Sequence, residues 1–343
     1  MVCTAGWKCV ACSRTKRTRI TYAPDVIVRF RRAWATLCAY RVRRQTYAVT
    51  GTKVAGNGVD QQSDLMVRPL SSSLRSLRRV PSLQVSTSHD LTSEEIAGYR
   101  HLGWVLTKPF TRVDVERLVE WVTEVQAWGD TGDWMNHYEM VSGSPRKCRT
   151  EYFTKFHTGL RGVLNSGVIM RAAEALLGEP VVLYKEKINY KLAGGAGWDP
   201  HQDAPAYPFI DAHISCMIAI DDATIENGCL EVVSGMHHAL IPTDERGCIP
   251  VGTVRTMAWE AVPMKAGDVL WFHSRTPHRS GDNSSSRDRR AMYPTYNALR
   301  EGDRRENYYT AKRDELRRGS MTGERVRISL IDDFRGVPVT DAR

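Results

Sequence analysis

His201-Gln202-Asp203 places an imidazole and a carboxylate two residues apart. Thr276-Pro277-His278-Arg279-Ser280-Gly281 supplies a second imidazole, and Arg289 follows eleven residues after His278. Imidazole binds a divalent transition metal through a neutral ring nitrogen, and aspartate adds a hard anionic oxygen. Two histidines and one carboxylate are the set that holds non-haem Fe(II) on one face and leaves the other face open for a cosubstrate and O₂. An arginine nearby can grip a distant carboxylate with a two-pronged, charge-assisted fork. The matching cosubstrate is a dicarboxylate, 2-oxoglutarate, with its keto-acid end on the metal. An H-x-D pattern is short and arises by chance, so His201 and Asp203 could equally be loop polar residues and His278 a turn histidine. The order of the residue types and the strands that flank them favour the metal.

Those flanking elements are legible. A strand-like run, 181–191, reaches His201 through the glycine loop Gly194-Gly195-Ala196-Gly197. A second run, Gly267 to His273, leads to His278, and Arg289-Arg290-Ala291-Met292-Tyr293 forms a third. Alternation along 185–191 sends Lys185, Lys187, Asn189 and Lys191 to one face and Glu186, Ile188 and Tyr190 to the other. Lysines on a strand usually mark a solvent-facing edge. Turned inward they would need an anion, because a buried ammonium must be paired. Arg290 lies opposite Arg289 and tests the register: a clamp made by Arg290 would mean a slip of one residue. His273 is the rival metal ligand. His237 and His238 read as a turn. His157 reads as a loop or helix histidine, although with Glu151-Tyr152-Phe153 it could line a site mouth.

Residues 90–310 resemble the phytanoyl-CoA dioxygenase family of Fe(II)/2-oxoglutarate oxygenases. The resemblance rests on Lys187-Ile188-Asn189-Tyr190-Lys191, His201-Gln202-Asp203, the stretch from Asn227-Gly228-Cys229-Leu230-Glu231 to Ser234-Gly235-Met236-His237, and Gly267-Asp268-Val269 through His278-Arg279-Ser280-Gly281 to Arg289. The family usually has Pro-Gly-Ser-His where this chain has Ser234-Gly235-Met236-His237. The resemblance implies a mainly β protein with flanking helices, a double-stranded β-helix (jelly-roll, cupin-like) barrel with the metal in its mouth. It implies Fe(II) on His201, Asp203 and His278, with 2-oxoglutarate and O₂ consumed, ascorbate as an accessory reductant, and no catalytic side chain beyond the ligands. Arg289, Ser280, Asn189 and Ser215 match positions that bind 2-oxoglutarate. Lys187 and Lys185 match substrate-contacting positions, and Tyr207 and Trp198 flank the site as walls or as core. Tyr184 to Lys191 and Asp203-Ala204-Pro205-Ala206-Tyr207 look most like the branch that hydroxylates small aminophosphonates such as 2-aminoethylphosphonate, releasing succinate and CO₂. Three alternatives stay open: hydroxylation of an amino acid derivative, hydroxylation of an acyl-CoA, or a catalytically silent cupin-like metal-binding protein.

Charge divides the chain. Residues 1–80 hold sixteen Lys/Arg and three Asp/Glu, about +13, which leaves about −4 for the remainder of a chain whose total is +9. The basic pI of the whole therefore belongs to an extension, 1–89, and the mildly acidic enzyme region, 90–343, argues against nucleic-acid binding. The extension is Arg-rich and acid-poor, with no long apolar run for a membrane span or secretory signal. Residues 66–79 suit an organelle transit segment, with 1–65 as a gene-model overrun; a disordered tail or a basic arm would share the composition. Cys9-x-x-Cys12 lacks a second pair at zinc-site spacing. Cys216 and Cys229 read as small core residues, and no disulfide framework is indicated, so a reducing compartment is expected, cytoplasmic or mitochondrial.

Along 90–343 a capping box, Thr92 with Glu95, predicts a helix ending near Gly103. A short strand at 104–106, a helix at 112–128 and a helix at 166–177 follow from periodicity and stop signals. Residues 129–150 read as an irregular loop over the site. Strands are expected at 181–191, 213–220, 229–233, 254–262, 268–273 and 289–297. Residues 301–343 read as a helix plus tail outside the barrel, carrying no chemistry.

Overall fold

The computed structural model describes residues 90–322 and 327–339. The extension at 1–89, with its transit-like segment and Cys9-x-x-Cys12, lies outside the described residues. The strands are β1 (Trp104–Thr107), β2 (Met135–Val141), β3 (Ser144–Glu151), β4 (Val181–Lys191), β5 (Trp198–His201), β6 (His213–Ala219), β7 (Leu230–Val232), β8 (Glu260–Val262), β9 (Val269–His273), β10 (His278–Ser280), β11 (Arg289–Ala298) and β12 (Pro338–Val339). The helices are α1 (Ser93–Leu102), α2 (Arg112–Gln126), α3 (Thr158–Leu164), α4 (Gly167–Leu177), α5 (Val251–Val254) and α6 (Arg305–Thr322). Among the described residues, eight strands form one sheet in the order β1-β9-β6-β11-β4-β3-β2-β12 and four form a second, β5-β10-β7-β8. The named strand pairs are antiparallel, and the two sheets make the jelly-roll barrel.

The large sheet is buried on both faces, and its strands sort residues accordingly. On β6, Ile214, Cys216 and Ile218 join the apolar core under the helices, where Leu118, Val122, Leu160, Val168 and Ile169 meet them. The alternate residues Met217 and Ala219 enter a second cluster inside the barrel with Leu230, Val232, Leu270 and Phe272. On β4 the alternation is shifted once. Thr295 pairs with Lys185 and Tyr296 with Leu183, so Tyr184 is an extra, bulged residue. The bulge lets Val181 and Leu183 pack under the helices while Lys185 turns into the barrel; in an unbroken strand all three would share a face.

The helix ends follow their capping chemistry. Thr92 and Glu95 form the expected box, and Gly103 ends α1 in the left-handed region. A second box, Thr111 with Asp114, starts α2. The 213–220, 229–233, 268–273 and 289–297 strands appear within a residue or two of expectation.

Other expectations are corrected. Residues 129–150 are not an irregular loop: β2 and β3 form a hairpin, turned at Ser142-Gly143 with both residues at positive φ, and β3 pairs with β4. The inward residues of this hairpin include His137, Glu139, Arg149 and Glu151, buried through polar pairing, so hydrophobic alternation had no signal to give. A helix, α3, precedes α4. Of the expected 254–262 strand only Glu260–Val262 is extended, and Val254 instead ends a helical turn, α5. The segment after α6 does not stay outside the barrel. Phe334 bridges to Trp198, β12 pairs with β2, and Asp333 lines the central cavity. No described helix is long and apolar enough to cross a membrane.

Candidate active site

Antiparallel pairing of β10 with β5 sets His278 directly across from His201, and their ring centroids lie 4.2 Å apart. Asp203 follows β5 at a 3-10 turn that Ala206 N–H closes onto the Asp203 carbonyl. The ligand atoms of His201, Asp203 and His278 all fall within 4.8 Å of one another, and all three residues are buried. Each imidazole is oriented from behind: His201 Nδ1 meets the Asp199 carbonyl at 2.7 Å and His278 Nδ1 meets the Thr276 carbonyl at 3.0 Å. A carbonyl only accepts, so each Nδ1 carries the proton and each Nε2 lone pair faces the cluster. This is the backing that metal-bound histidines use. Burial, helped by the neighbouring His201, lowers the His278 pKa to about 4 and keeps the ring neutral. For Asp203, burial alone would raise the pKa. His278, Lys185 and His201 outweigh it and hold the carboxyl below its usual range. A tight group of two neutral imidazoles and one carboxylate fits Fe(II) in type and number.

Ser215 Oγ donates to Asp203 Oδ2 at 2.7 Å and shares a 2.8 Å bond with Thr295 Oγ1. Tyr207 OH donates to Asp203 Oδ1 at 3.2 Å. Both residues therefore hold the ligand carboxylate in place. Ser215 also borders the cavity, whereas Tyr207 stands behind it and is not among the lining residues.

A cavity partly open to solvent lies beside the ligands, with about 440 Å³ of empty space counting the open part. Lys185, Lys187, Asn189, Trp198, Ser215, Ser280 and the three ligands line it, as the inward face of β4 requires. Lys185 is almost wholly buried and Lys187 partly. Neither ammonium has an ion-pair or hydrogen-bond partner among the described residues; they lie 4.7 Å from the Tyr207 ring centre and 5.4 Å from that of Tyr293. Burial lowers both pKa values, and for Lys187 the charges of Lys185 and Arg149 add to the fall. Two ammonium groups in such a place lack the counter-charge that burial calls for.

A second cationic pocket lies behind Ser280. Arg289 pairs with Lys191 across β11 and β4, on the same face as Asn189 and Lys187. Arg290 faces the other way and binds Asp221 bidentately, so the register is the expected one. Arg289 donates to the Gly228 carbonyl at 2.7 Å, and its buried Nε has no partner. Lys191, which sequence reasoning placed on this face without assigning it a role, donates to Ser280 Oγ at 2.9 Å and to the Gly228 and Gly281 carbonyls. Gly228 lies at φ +71°, and a Cβ there would stand 2.7 Å from Lys191 Nζ. No carboxylate lies within ion-pair distance of either cation among the described residues. Burial and Arg289 push Lys191 well below its ordinary pKa. This pocket fits the far carboxylate of a dicarboxylate. Asn189 lines the same cavity as the three ligands, and its Oδ1 accepts from Arg149 Nε at 2.8 Å, which leaves the amide N–H groups for the cavity.

Trp198 lines the cavity, stacks on Phe334 at 4.8 Å and lies under Arg149 and Lys191. The rival ligand His273 accepts the Arg275 N–H at its Nδ1 and packs on His237, outside the ligand group. His157 caps α3 by accepting from Leu160 N–H. Glu151 is fully buried in a pair with Lys312 and Arg149 rather than at a mouth. Asp333 and Arg149 were missed. Asp333 sits in a charged C-terminal stretch with no motif, and Arg149 in the hairpin read as loop.

The Phytanoyl-CoA dioxygenase (PhyH) family profile matches residues 122–291, a span that includes the three ligands and Arg289. A methylphosphonate hydroxylase from Gimesia maris is 46% identical over 252 residues, covering 72% of this chain and 97% of that protein. A 2-aminoethylphosphonate dioxygenase from an uncultured bacterium is 35% identical over 232 residues, 66% of this chain and 88% of that one. Among solved structures, EctD from S. alaskensis with 2-oxoglutarate and 5-hydroxyectoine superposes with a TM-score of 0.54 at 18% identity, covering 64% of this chain and 82% of that one. At that identity the likeness speaks to the fold alone.

Proposed function

The chain belongs to the phytanoyl-CoA dioxygenase family, as a non-haem Fe(II)- and 2-oxoglutarate-dependent dioxygenase, and we propose that its substrate is a small phosphonate hydroxylated on carbon. The observation that carries the substrate class is the pair of unpartnered ammonium groups, Lys185 and Lys187, in the cavity that borders the ligand cluster. The relatives named for phosphonates agree with it.

The chemistry that iron, 2-oxoglutarate and O₂ supply together is C–H hydroxylation coupled to release of succinate and CO₂. The chain's own residues position the reactants. His201, Asp203 and His278 would hold Fe(II), with Ser215 and Tyr207 fixing the carboxylate. Arg289 and Lys191, with Ser280, would take the distal carboxylate of 2-oxoglutarate, and Asn189 would donate to it nearer the metal. Lys185 and Lys187 would anchor the phosphonate oxygens, so that the attached carbon faces the metal. Trp198 walls the cavity against water.

The test is succinate release by the Fe(II)-loaded protein with and without methylphosphonate or 2-aminoethylphosphonate. Stimulated succinate, matched by hydroxylated product, is expected from at least one of them, and Lys187→Met should raise the KM for that substrate on the order of tenfold or more. Stimulation by acyl-CoA thioesters alone would overturn the phosphonate reading.

A further inference from the structure

Asp333 is a buried carboxylate that the site described so far does not use. It is 3% exposed, it lines the cavity, and its Oδ1 has no hydrogen-bond partner. Its Oδ2 lies 3.4 Å from His201 Nε2, the nitrogen that faces the metal cluster. Asp333 is not one of the three residues whose ligand atoms group within 4.8 Å, so it stands beside the metal position rather than completing it.

The backbone holds Asp333 where it is. Its carbonyl accepts from Asp199 N–H at 2.7 Å, and the next residue, Phe334, bridges to Trp198. Leaving a carboxylate oxygen dry and without a donor costs on the order of 1–3 kcal/mol or more. No described donor relieves that cost. Lys185 and Lys187 line the same cavity, but neither reaches Asp333 within ion-pair distance. Asp203 belongs to the ligand group and Arg279 pairs with Glu231, so the cavity presents two unpaired positive groups and one separate negative group to whatever fills it.

We infer that Asp333 is the receptor for an ammonium group on the substrate, so that the cavity selects a zwitterionic aminophosphonate over an uncharged-tail alkylphosphonate of the same size. The phosphonate oxygens would sit on the two lysines and the ammonium N–H groups would donate to Asp333. A substrate without the amine leaves Asp333 unpaired and facing the phosphonate charge, which is how a buried polar group rejects an analogue that cannot satisfy it. This rests on the phosphonate reading above and narrows it.

The experiment is calorimetric titration of the full chain, loaded anaerobically with Fe(II) and 2-oxoglutarate so that nothing turns over. The ligands are 2-aminoethylphosphonate and propylphosphonate, which replaces the ammonium by a methyl group. The unsubstituted protein is expected to bind the amino compound at least tenfold more tightly. Asp333→Asn should weaken the amino compound about tenfold, leave propylphosphonate unchanged or tighter, and retain iron and 2-oxoglutarate affinity. Equal affinities in the unsubstituted protein would overturn the assignment without any variant, while leaving the phosphonate reading intact. So would an Asp333→Asn protein that loses both ligands equally, which would make Asp333 a support for His201. Binding of neither phosphonate, with 2-oxoglutarate still bound, would overturn the phosphonate reading itself and the inference with it.

Discussion

At the scale of residues, the site separates charges by what each must hold. Asp203 carries negative charge at the metal and is held by two hydroxyls and two imidazoles. Arg289 and Lys191 concentrate positive charge where, among the described residues, no carboxylate reaches them. Such a pair is tolerable only with an anion present for much of the protein's working life. Replacing Arg289 by Gln shortens the side chain and removes the charge while keeping an N–H donor. It is expected to weaken 2-oxoglutarate binding on the order of 10- to 100-fold, the loss of a charge-assisted hydrogen bond. Iron bound per chain should stay constant, because no ligand touches Arg289. Titration of 2-oxoglutarate into the anaerobic Fe(II) protein checks both halves. A parallel loss of iron would mean that Arg289 supports the barrel rather than the cosubstrate.

At the scale of elements, β4 carries the inward face of the site and α6 braces it. The β4 bulge at Tyr184 turns Lys185 inward, and Glu186 on the outward face receives Arg305 and Tyr309 from α6. About two turns on from Arg305, Lys312 reaches Glu151, which Arg149 also contacts. Arg149 in turn fixes Asn189, so the brace connects to the cosubstrate pocket through three side chains. Lys312, Glu151, Arg149 and Asn189 are all buried, and breaking a buried pair leaves an uncompensated charge at about 3–5 kcal/mol. Lys312→Met leaves Glu151 still paired with Arg149 and is expected to cost about 3 kcal/mol or less. Glu151→Gln strands two cations and should cost more, toward about 5 kcal/mol. Urea unfolding of the two variants beside the unsubstituted protein tests the order. Equal costs would show that Arg149 contributes nothing to holding Glu151.

At the scale of the whole molecule, buried neutral histidines set the response to acid. Burial lowers His137 to about 3 and His213 to about 4. The unfolded chain takes up these protons near 6.5, and the folded chain takes them up only well below. Stability therefore rises with pH wherever the unfolded state binds more protons. It should be full above about pH 7 and fall progressively as pH drops from 6.5 toward 4. Urea midpoints at pH 7.5, 6 and 5 read this directly, and flat midpoints would mean that both rings protonate freely in the fold. The same scale shows how far the sequence reaches. His201, Asp203, His278 and Arg289 were legible because strand alternation and motif spacing are local. One register, fixed by turns and apolar neighbours, sends Arg289 inward and Arg290 outward. The jelly-roll strands were legible for the same reason. The β2–β3 hairpin was not, because its inward face is polar and becomes buried only when Lys312 and Glu151 meet across 161 positions. Nor was Asp333, which ordinary composition hides and which reaches the cavity only because the chain returns after α6 to lay Phe334 on Trp198. The sequence by itself determined the grouping of His201, Asp203 and His278, the barrel and the inward register of Arg289, since each is written in short-range spacing. Tertiary structure alone decided which buried charges stay unpaired, because pairing depends on what distant segments bring to within a few ångströms.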